Sequence, residues 1–201
     1  LAVQLHERFR KDKAAPMVLD SLVSMEKMAS RIAAIVKGLR MFSRRTDGDP
    51  MSAADFVGIV QDTVAMCEAK LRASDIKLTV KLPSGKVPVL CRSSEISQVL
   101  LNLVGNAHDA VQVLPERLVE IELASKNGFA LLTVSDSGPG IAPEQRDRIF
   151  QPFYTTKEVG RGTGLGLPIS KGIVEAHRGR LYLDTSSQKT CFVVEIPLAE
   201  S

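Results

Sequence analysis

Asp136-Ser137-Gly138-Pro139-Gly140 follows an apolar run containing Leu131, Leu132 and Val134, and Gly162-Thr163-Gly164-Leu165-Gly166 comes shortly after it. Glycine has no Cβ, so such turns can take positive φ and leave main-chain N–H groups uncovered for a phosphate or a flat base. Neither turn is a Walker loop, because no Gly-Lys-Ser/Thr follows, and neither matches the dinucleotide fingerprint. Between the chain start and these loops, Asn102 and Asn106 stand four residues apart in a helical pattern and so share a face with core residues around them. One such amide could simply cap or bridge local backbone. Two in register beside glycine loops point to oxygen ligands for a hard cation, and Mg²⁺, which takes substrate phosphates as ligands and keeps several waters, suits a site with one protein amide oxygen.

Composition narrows the partners. The 201 residues are 44% hydrophobic, enough for one ordinary domain with a real core plus a smaller element. A formal net charge of +3 does not argue for nucleic acid, and low aromatic content with no Trp leaves little for stacking bases. Cys67, Cys91 and Cys191 are odd in number and outside metal spacing, which fits core thiols in a reduced, cytoplasmic compartment. No apolar run approaches the ~20 residues of a membrane span, so no membrane contact by this fragment is expected. The chain starts at Leu1 rather than Met, and the expectation is a piece of a longer protein whose other parts could include a membrane anchor.

The elements that must position these residues follow from periodicity. Val18, Met25, Met28, Ile32, Ile35, Leu39 and Phe42 recur at steps of three and four, a heptad seam interrupted at Ser21. With a short arm carrying Leu1, Leu5 and Phe9, and a bend before Pro16, this predicts a helical hairpin over residues 1–46 that self-associates as a four-helix bundle. Turn residues make 47–51 a linker, and a second domain occupies 52–201. Ser52 with Asp55 predicts a capping box opening a helix through Val57, Val60, Val64, Cys67 and Leu71. Ile76, Leu78 and Val80 predict one strand and residues 87–90 another, before a helix capped by Ser93 or Ser94. Asn127-Gly128 joins strands at 119–123 and 130–134 as a tight hairpin, and a second hairpin over 181–184 and 191–196 closes the chain. The fold class expected is α+β, a two-layer α/β sandwich with helices over one face of a mixed sheet.

At this point a family resemblance enters. Residues 98–110 (QVLLNLVGNAHDA) resemble the N box of sensor histidine kinases, 136–141 their first glycine box, 149–157 (IFQPFYTTK) their F box and 162–167 their second glycine box. Arg31-Ile32 and Phe42-Ser43-Arg44 lie in a segment similar to the second helix of the dimerisation and phosphotransfer domain, and the match runs over roughly residues 20–198 in one order. The resemblance implies a Bergerat-type ATP-binding domain with ATP and Mg²⁺. It assigns ATP binding to Asn102, Asn106, Asp109, Asp136, Gly138, Gly140, Ile141, Lys157, Thr163, Gly164, Leu165, Gly166, Leu167 and Thr190.

Within that set, Asp136 would accept from the adenine amino group, with Thr190 backing the contact through water and Gly140 admitting the base. A carboxylate only accepts, so it selects an amino-bearing edge over guanine's carbonyl. Asn106 would ligate the metal with Asn102 in support. Lys157 and the N–H groups of residues 164–167 would hold phosphates at a helix start. His108 is read as a surface residue and His177 as structural. Arg92, Pro168 and Arg178 depart from the family pattern.

The larger departure is at the front, where the phosphoacceptor box, His followed by Glu and ending in Asn-Pro-Leu, is missing; Leu1-Ala2-Val3 looks like the residues just behind it. His6, followed by Glu7, is the sole histidine there and lacks the pattern, so it is a minor candidate for phosphoacceptor and is read as a surface histidine. The expected function is a histidine-kinase core that dimerises and, in the intact protein, passes the γ-phosphate to a histidine and then to an aspartate of a response-regulator receiver domain. The alternatives are an ATPase of the gyrase, chaperone or mismatch-repair kind, which the heptad hairpin disfavours, and a module that binds nucleotide without transferring phosphate.

Overall fold

A computed structural model describes residues 50–157, 162–187 and 189–199, together with Ser21, Leu22, Ser24, Met25 and Met28, which are helical and exposed. The predicted hairpin over 1–46 otherwise lies outside the described residues, as do His6, residues 47–49 of the linker and residues 158–161.

From residue 50 the chain runs β1 (Ser52–Asp55), α1 (Phe56–Ala73), β2 (Lys77–Lys81), β3 (Pro88–Cys91), α2 (Ser93–Val111), β4 (Leu118–Lys126), β5 (Phe129–Asp136), α3 (Pro143–Arg146), α4 (Gly166–Ala176), β6 (Arg180–Leu183) and β7 (Thr190–Pro197). Five strands form a mixed sheet in the order β2-β4-β5-β7-β6, with β2 parallel to β4 and every other pair antiparallel. The side-chain period of two sends Val119, Ile121 and Leu123 of β4, Ala130, Leu132 and Val134 of β5, and Phe192, Val194 and Ile196 of β7 into one core. Phe56, Ile59 and Val60 of α1, Ile96, Val99, Leu100, Leu103 and Val104 of α2, and Val174 of α4 meet them there. This is the expected two-layer α/β sandwich. Among the described residues no helix is long and apolar enough to cross a membrane.

The Asn127-Gly128 turn is as expected: both residues have positive φ (52° and 80°), the geometry that matches the twist of the flanking strands. The start of α1 differs. Ser52 lies in a strand that pairs antiparallel with β3, and Asp55 alone caps the helix, its Oδ1 accepting from Val57 N at 3.1 Å and Val87 N at 3.0 Å. One carboxylate oxygen serving two donors ties the helix start to the chain before β3, which a capping box local to residues 52–55 could not do. Likewise neither Ser93 nor Ser94 caps α2: Arg92 holds the N-cap position, and its side chain reaches Glu95 in the first turn rather than capping the helix amides. The departures Arg178 and Pro168 also acquire reasons. Arg178 sits in the left-handed region at φ 57°, the conformation for which glycine is usual. Pro168 falls in the first turn of α4, where its missing N–H has no helical acceptor to lose.

Candidate functional site

The site is assembled around one face of α2. Asn102, Asn106 and Asp109 follow at spacings of four and three: Asn102 meets the start of α4, Asn106 and Asp109 meet Lys157, and Ala110 beside them meets the first glycine loop. Asn102 Nδ2 donates to Ser170 Oγ at 3.1 Å and to Gly166 O at 3.4 Å, while its Oδ1 accepts from Gln98 Nε2 at 2.9 Å. The amide therefore clamps the first turn of α4 onto α2. Asn102→Ala is expected to cost about 1–3 kcal/mol, because fully buried Ser170 loses its partner. Urea denaturation should show the loss with an unchanged m-value.

One turn on, Asn106 Oδ1 accepts from Lys157 Nζ at 3.4 Å, and the same ammonium contacts Asp109 Oδ2 at 2.5 Å. Asp109 Oδ1 lies 3.1 Å from His108 Nδ1, whose Nε2 is 3.0 Å from Ser74 Oγ at the end of α1. Burial works to raise the Asp109 carboxyl, but hydrogen bonds from Lys157 and His108, with their charges, outweigh it and hold it below the usual carboxylate range. His108, expected on the surface, is 7% exposed: the helix turns it toward α1, where Ser74 meets one nitrogen and Asp109 the other. The structural reading of His177 is consistent with its bonds: buried, it donates from Nδ1 to Ile173 O at 2.8 Å and accepts Arg92 N–H on Nε2 at 3.0 Å.

Beyond the last turn of α2 lies the first glycine loop. A Cβ at Gly138 would stand 3.2 Å from Ala110 Cβ and 2.5 Å from Asp136 Oδ1, so a side chain there would crowd the helix and displace the Asp136 carboxylate. Asp136 ends β5 opposite Thr190, the first residue of β7, and is 4% exposed. Its Oδ1 accepts Gly138 N–H at 2.8 Å, and the Thr190 side chain beside it also works to lower the carboxyl. Burial pushes the carboxyl above its ordinary value, and these two groups only partly offset this. Ser137 pins the loop from behind, its hydroxyl accepting Leu118 N–H and donating to Glu116 O, both at 2.9 Å. Gly140 has φ 80° and nothing within 4 Å of where a Cβ would be, so an approaching flat group meets open space there. Gly140, Ile141 and Thr190 also border an open hollow of about 630 Å³ that extends to Arg146, Leu183 and Lys189.

The second glycine loop is joined to the F-box segment. Phe153 N donates to Gly164 O at 3.0 Å, and Gly164, at φ 66°, packs directly on the Phe153 and Tyr154 backbone. Thr163 Oγ1 accepts Leu165 N–H at 3.4 Å. Gly166 and Leu167 then open α4, where the amides of the first turn have no helical acceptors and the dipole favours an anion. The structure thus brings Asn102, Asn106, Asp109 and Lys157 into direct contact with one another or with α4. It places Asp136, Gly138 and Thr190 together at the far end of α2. Sequence reading missed Gln98, Ser170 and Ser74. Of these only Gln98 carried a signal, its spacing of four from Asn102.

The donor set suits a hard cation. Asn106 Oδ1 and the Asp109 carboxylate converge on one positive charge, at present an ammonium, and oxygen ligands of this kind are those Mg²⁺ takes. No cluster of three or more His, Cys, Asp or Glu able to hold a metal occurs among the described residues, so a cation here would rely on few protein ligands.

Comparison with known proteins supplies the family. The family described as histidine kinase-, DNA gyrase B-, and HSP90-like ATPase matches residues 91–200. The two-component sensor PprA of Pseudomonas aeruginosa is 31% identical over 185 residues, covering 90% of this chain and 20% of that protein. The chain thus spans about a fifth of this relative's length. The catalytic domain of the histidine kinase ThkA is 30% identical with a TM-score of 0.66, covering 74% of this chain and 95% of that one. ThkA in complex with the response regulator protein TrrA gives a TM-score of 0.72 at 25% identity, covering 98% of this chain and 56% of that one. With a family match over more than half its length, placed on the elements that carry the site, the chain belongs to the histidine kinase-, DNA gyrase B- and HSP90-like ATPases as a sensor histidine kinase ATP-binding domain.

Proposed function

We propose that this chain is the ATP-binding core of a sensor histidine kinase, with residues 52–201 holding Mg-ATP and residues 1–46 forming a hairpin that dimerises as a four-helix bundle. The observation that carries the reading is the convergence on one face of α2 of a buried carboxylate at one end, an amide-and-carboxylate oxygen pair with Lys157 in the middle and the start of α4 at the other. In this reading Asp136 accepts the adenine amino hydrogen, Gly138 and Gly140 let the base approach, and Ile141 packs on it. Thr190 holds the carboxylate in orientation. Lys157 and the amides of Gly164, Leu165, Gly166 and Leu167 bind phosphate oxygens, with Thr163 shaping their turn. Asn106, with Asp109 beside it, would hold Mg²⁺, which when bound neutralises charge on the β- and γ-phosphates.

Phosphoryl transfer depends mainly on positioning and charge neutralisation, so these residues act by fixing the nucleotide rather than by covalent chemistry. The bond from the γ-phosphorus to the bridging oxygen breaks, ADP leaves, and a P–N bond forms on a histidine of the dimerisation hairpin. An aspartate of a receiver domain then takes the phosphoryl group. The complex of ThkA with TrrA supports a response regulator as partner, and a cytoplasmic setting follows from the use of ATP.

The test is transfer from γ-labelled ATP in the parent kinase. Acid-labile label is expected on histidine and on an added receiver domain, and Asn106→Ala should abolish both while leaving metal-free nucleotide affinity within a few-fold of the parent. Label that persists undiminished in Asn106→Ala would make Asn106 a packing residue. Label on the present chain that vanishes in His6→Gln would identify His6 as the acceptor.

A further inference from the structure

The Lys157 ammonium does not point into open solvent. It lies between Asn106 Oδ1 and Asp109 Oδ2, at 3.4 and 2.5 Å, with the Lys157 and Asp109 side chains 33% and 32% exposed. Those are the two oxygens that also suit a divalent cation, and Mg²⁺ draws its ligands in to about 2.0–2.1 Å. An ammonium and a divalent ion cannot share them, because like charges a few ångströms apart repel strongly away from bulk water.

We propose that in the nucleotide-free chain Lys157 is a resident cation in the Asn106–Asp109 position, and that magnesium nucleotide enters by exchange with it, Lys157 giving up the two oxygens to the metal while its contact with the phosphates stays the same. The inference rests on the ATP reading above and adds to it a role for Asp109 and a two-state role for Lys157.

The surroundings suit an exchange. Asp109 keeps its orientation whichever cation it faces, because its other oxygen is bonded to His108, and His108 is anchored in turn by Ser74 across the gap to α1. Lys157, by contrast, is attached only through a flexible four-carbon stem. That stem runs beside Gly162, where a Cβ would stand 3.1 Å from Lys157 Cδ and 2.7 Å from Thr155 Oγ1. The side-chain space next to Lys157 is thus left clear by glycine. Without an internal cation, the Asp109 carboxylate and the Asn106 oxygen would face an incoming triphosphate with negative charge alone. Lys157 covers that charge until the nucleotide brings its own metal.

The experiment is calorimetric titration with a non-hydrolysable ATP analogue, in Mg²⁺ and in a chelator, on the wild-type chain, Lys157→Met and Asp109→Asn. The quantity of interest is the ratio of the two affinities, which cancels any phosphate contact Lys157 makes in both conditions. Wild-type binding of the analogue is the prior condition, and its failure in both buffers would overturn the ATP reading and this inference together. Given binding, Lys157→Met should raise the ratio by about fivefold, since magnesium no longer has to break a partly exposed ion pair. Asp109→Asn should lower it, because the carboxylate that draws the metal is gone. A ratio in Lys157→Met equal to or below that of wild type would overturn the exchange while leaving the ATP reading intact.

Discussion

Replacing Asp136 by asparagine is expected to weaken ATP binding by about ten- to a hundredfold, the range of a lost charge-assisted hydrogen bond, and at the same time to raise thermal stability. The two effects have one cause. Asp136 is 4% exposed, and burial drives its carboxyl above the ordinary value despite the Gly138 hydrogen bond and the Thr190 side chain. A group whose folded-state pKa is raised contributes stability that is full at pH below the unfolded value and lost as pH rises through the folded one. Above that folded-state value the fold therefore carries the cost of a buried charge. Asparagine keeps the Oδ1 that accepts Gly138 N–H at 2.8 Å and removes the charge.

The gain in Tm of Asp136→Asn over wild type should accordingly grow as pH rises through the raised carboxyl value and then level off. ATP affinity of the wild type should fall as pH drops through the same range, because only the ionised group accepts at both oxygens. Calorimetry with ATP and GTP supplies the second check: the variant should lose most of its preference for ATP, since an amide can turn an N–H toward the base. Equal affinities of the wild type for the two nucleotides would remove Asp136 from base recognition.

Gly164→Ala is expected to detach the F-box segment from the second glycine loop and to lower nucleotide affinity by about tenfold or more, at a cost of 1–3 kcal/mol for overpacking alone. A Cβ there would lie 2.5 Å from Phe153 C, 2.7 Å from Tyr154 O and 2.8 Å from Phe153 Cα, and a main chain cannot yield by changing rotamer. The backbone at φ 66° adds about 1 kcal/mol for any residue with a side chain. Phe153 is itself in the left-handed region at φ 66° and is held there by its bond to Gly164 O, so its strained backbone depends on the glycine loop. Limited proteolysis should cut the variant near residue 153 at low protease, with the sheet core still protected. Gly58→Ala is the control. Its Cβ meets nothing within 4 Å on α1, and a gain of about 0.5–1 kcal/mol is expected there.

Local chemistry determined much of this protein by sequence alone. The Asn127-Gly128 turn, the alternation of Val119, Ile121 and Leu123, and the apolar face of α2 follow from φ preference and from side-chain periods of two and 3.6. Asn102 and Asn106 share a face for the same reason, and the glycine loops declare themselves by residue type. The tertiary structure decided what those residues touch. β1 reads SAAD, with no apolar alternation, and is a strand only because β3 pairs with it. Asn102 meets Ser170 across 68 residues, His108 meets Ser74 across 34 and Lys157 meets Asp109 across 48, separations at which no periodicity carries information. His108 could be placed on the surface from its neighbours in sequence, because the helix that buries it lies elsewhere in the chain. Contacts of that kind come from packing two layers on one core, and they turn an asparagine pair and two glycine loops into a site.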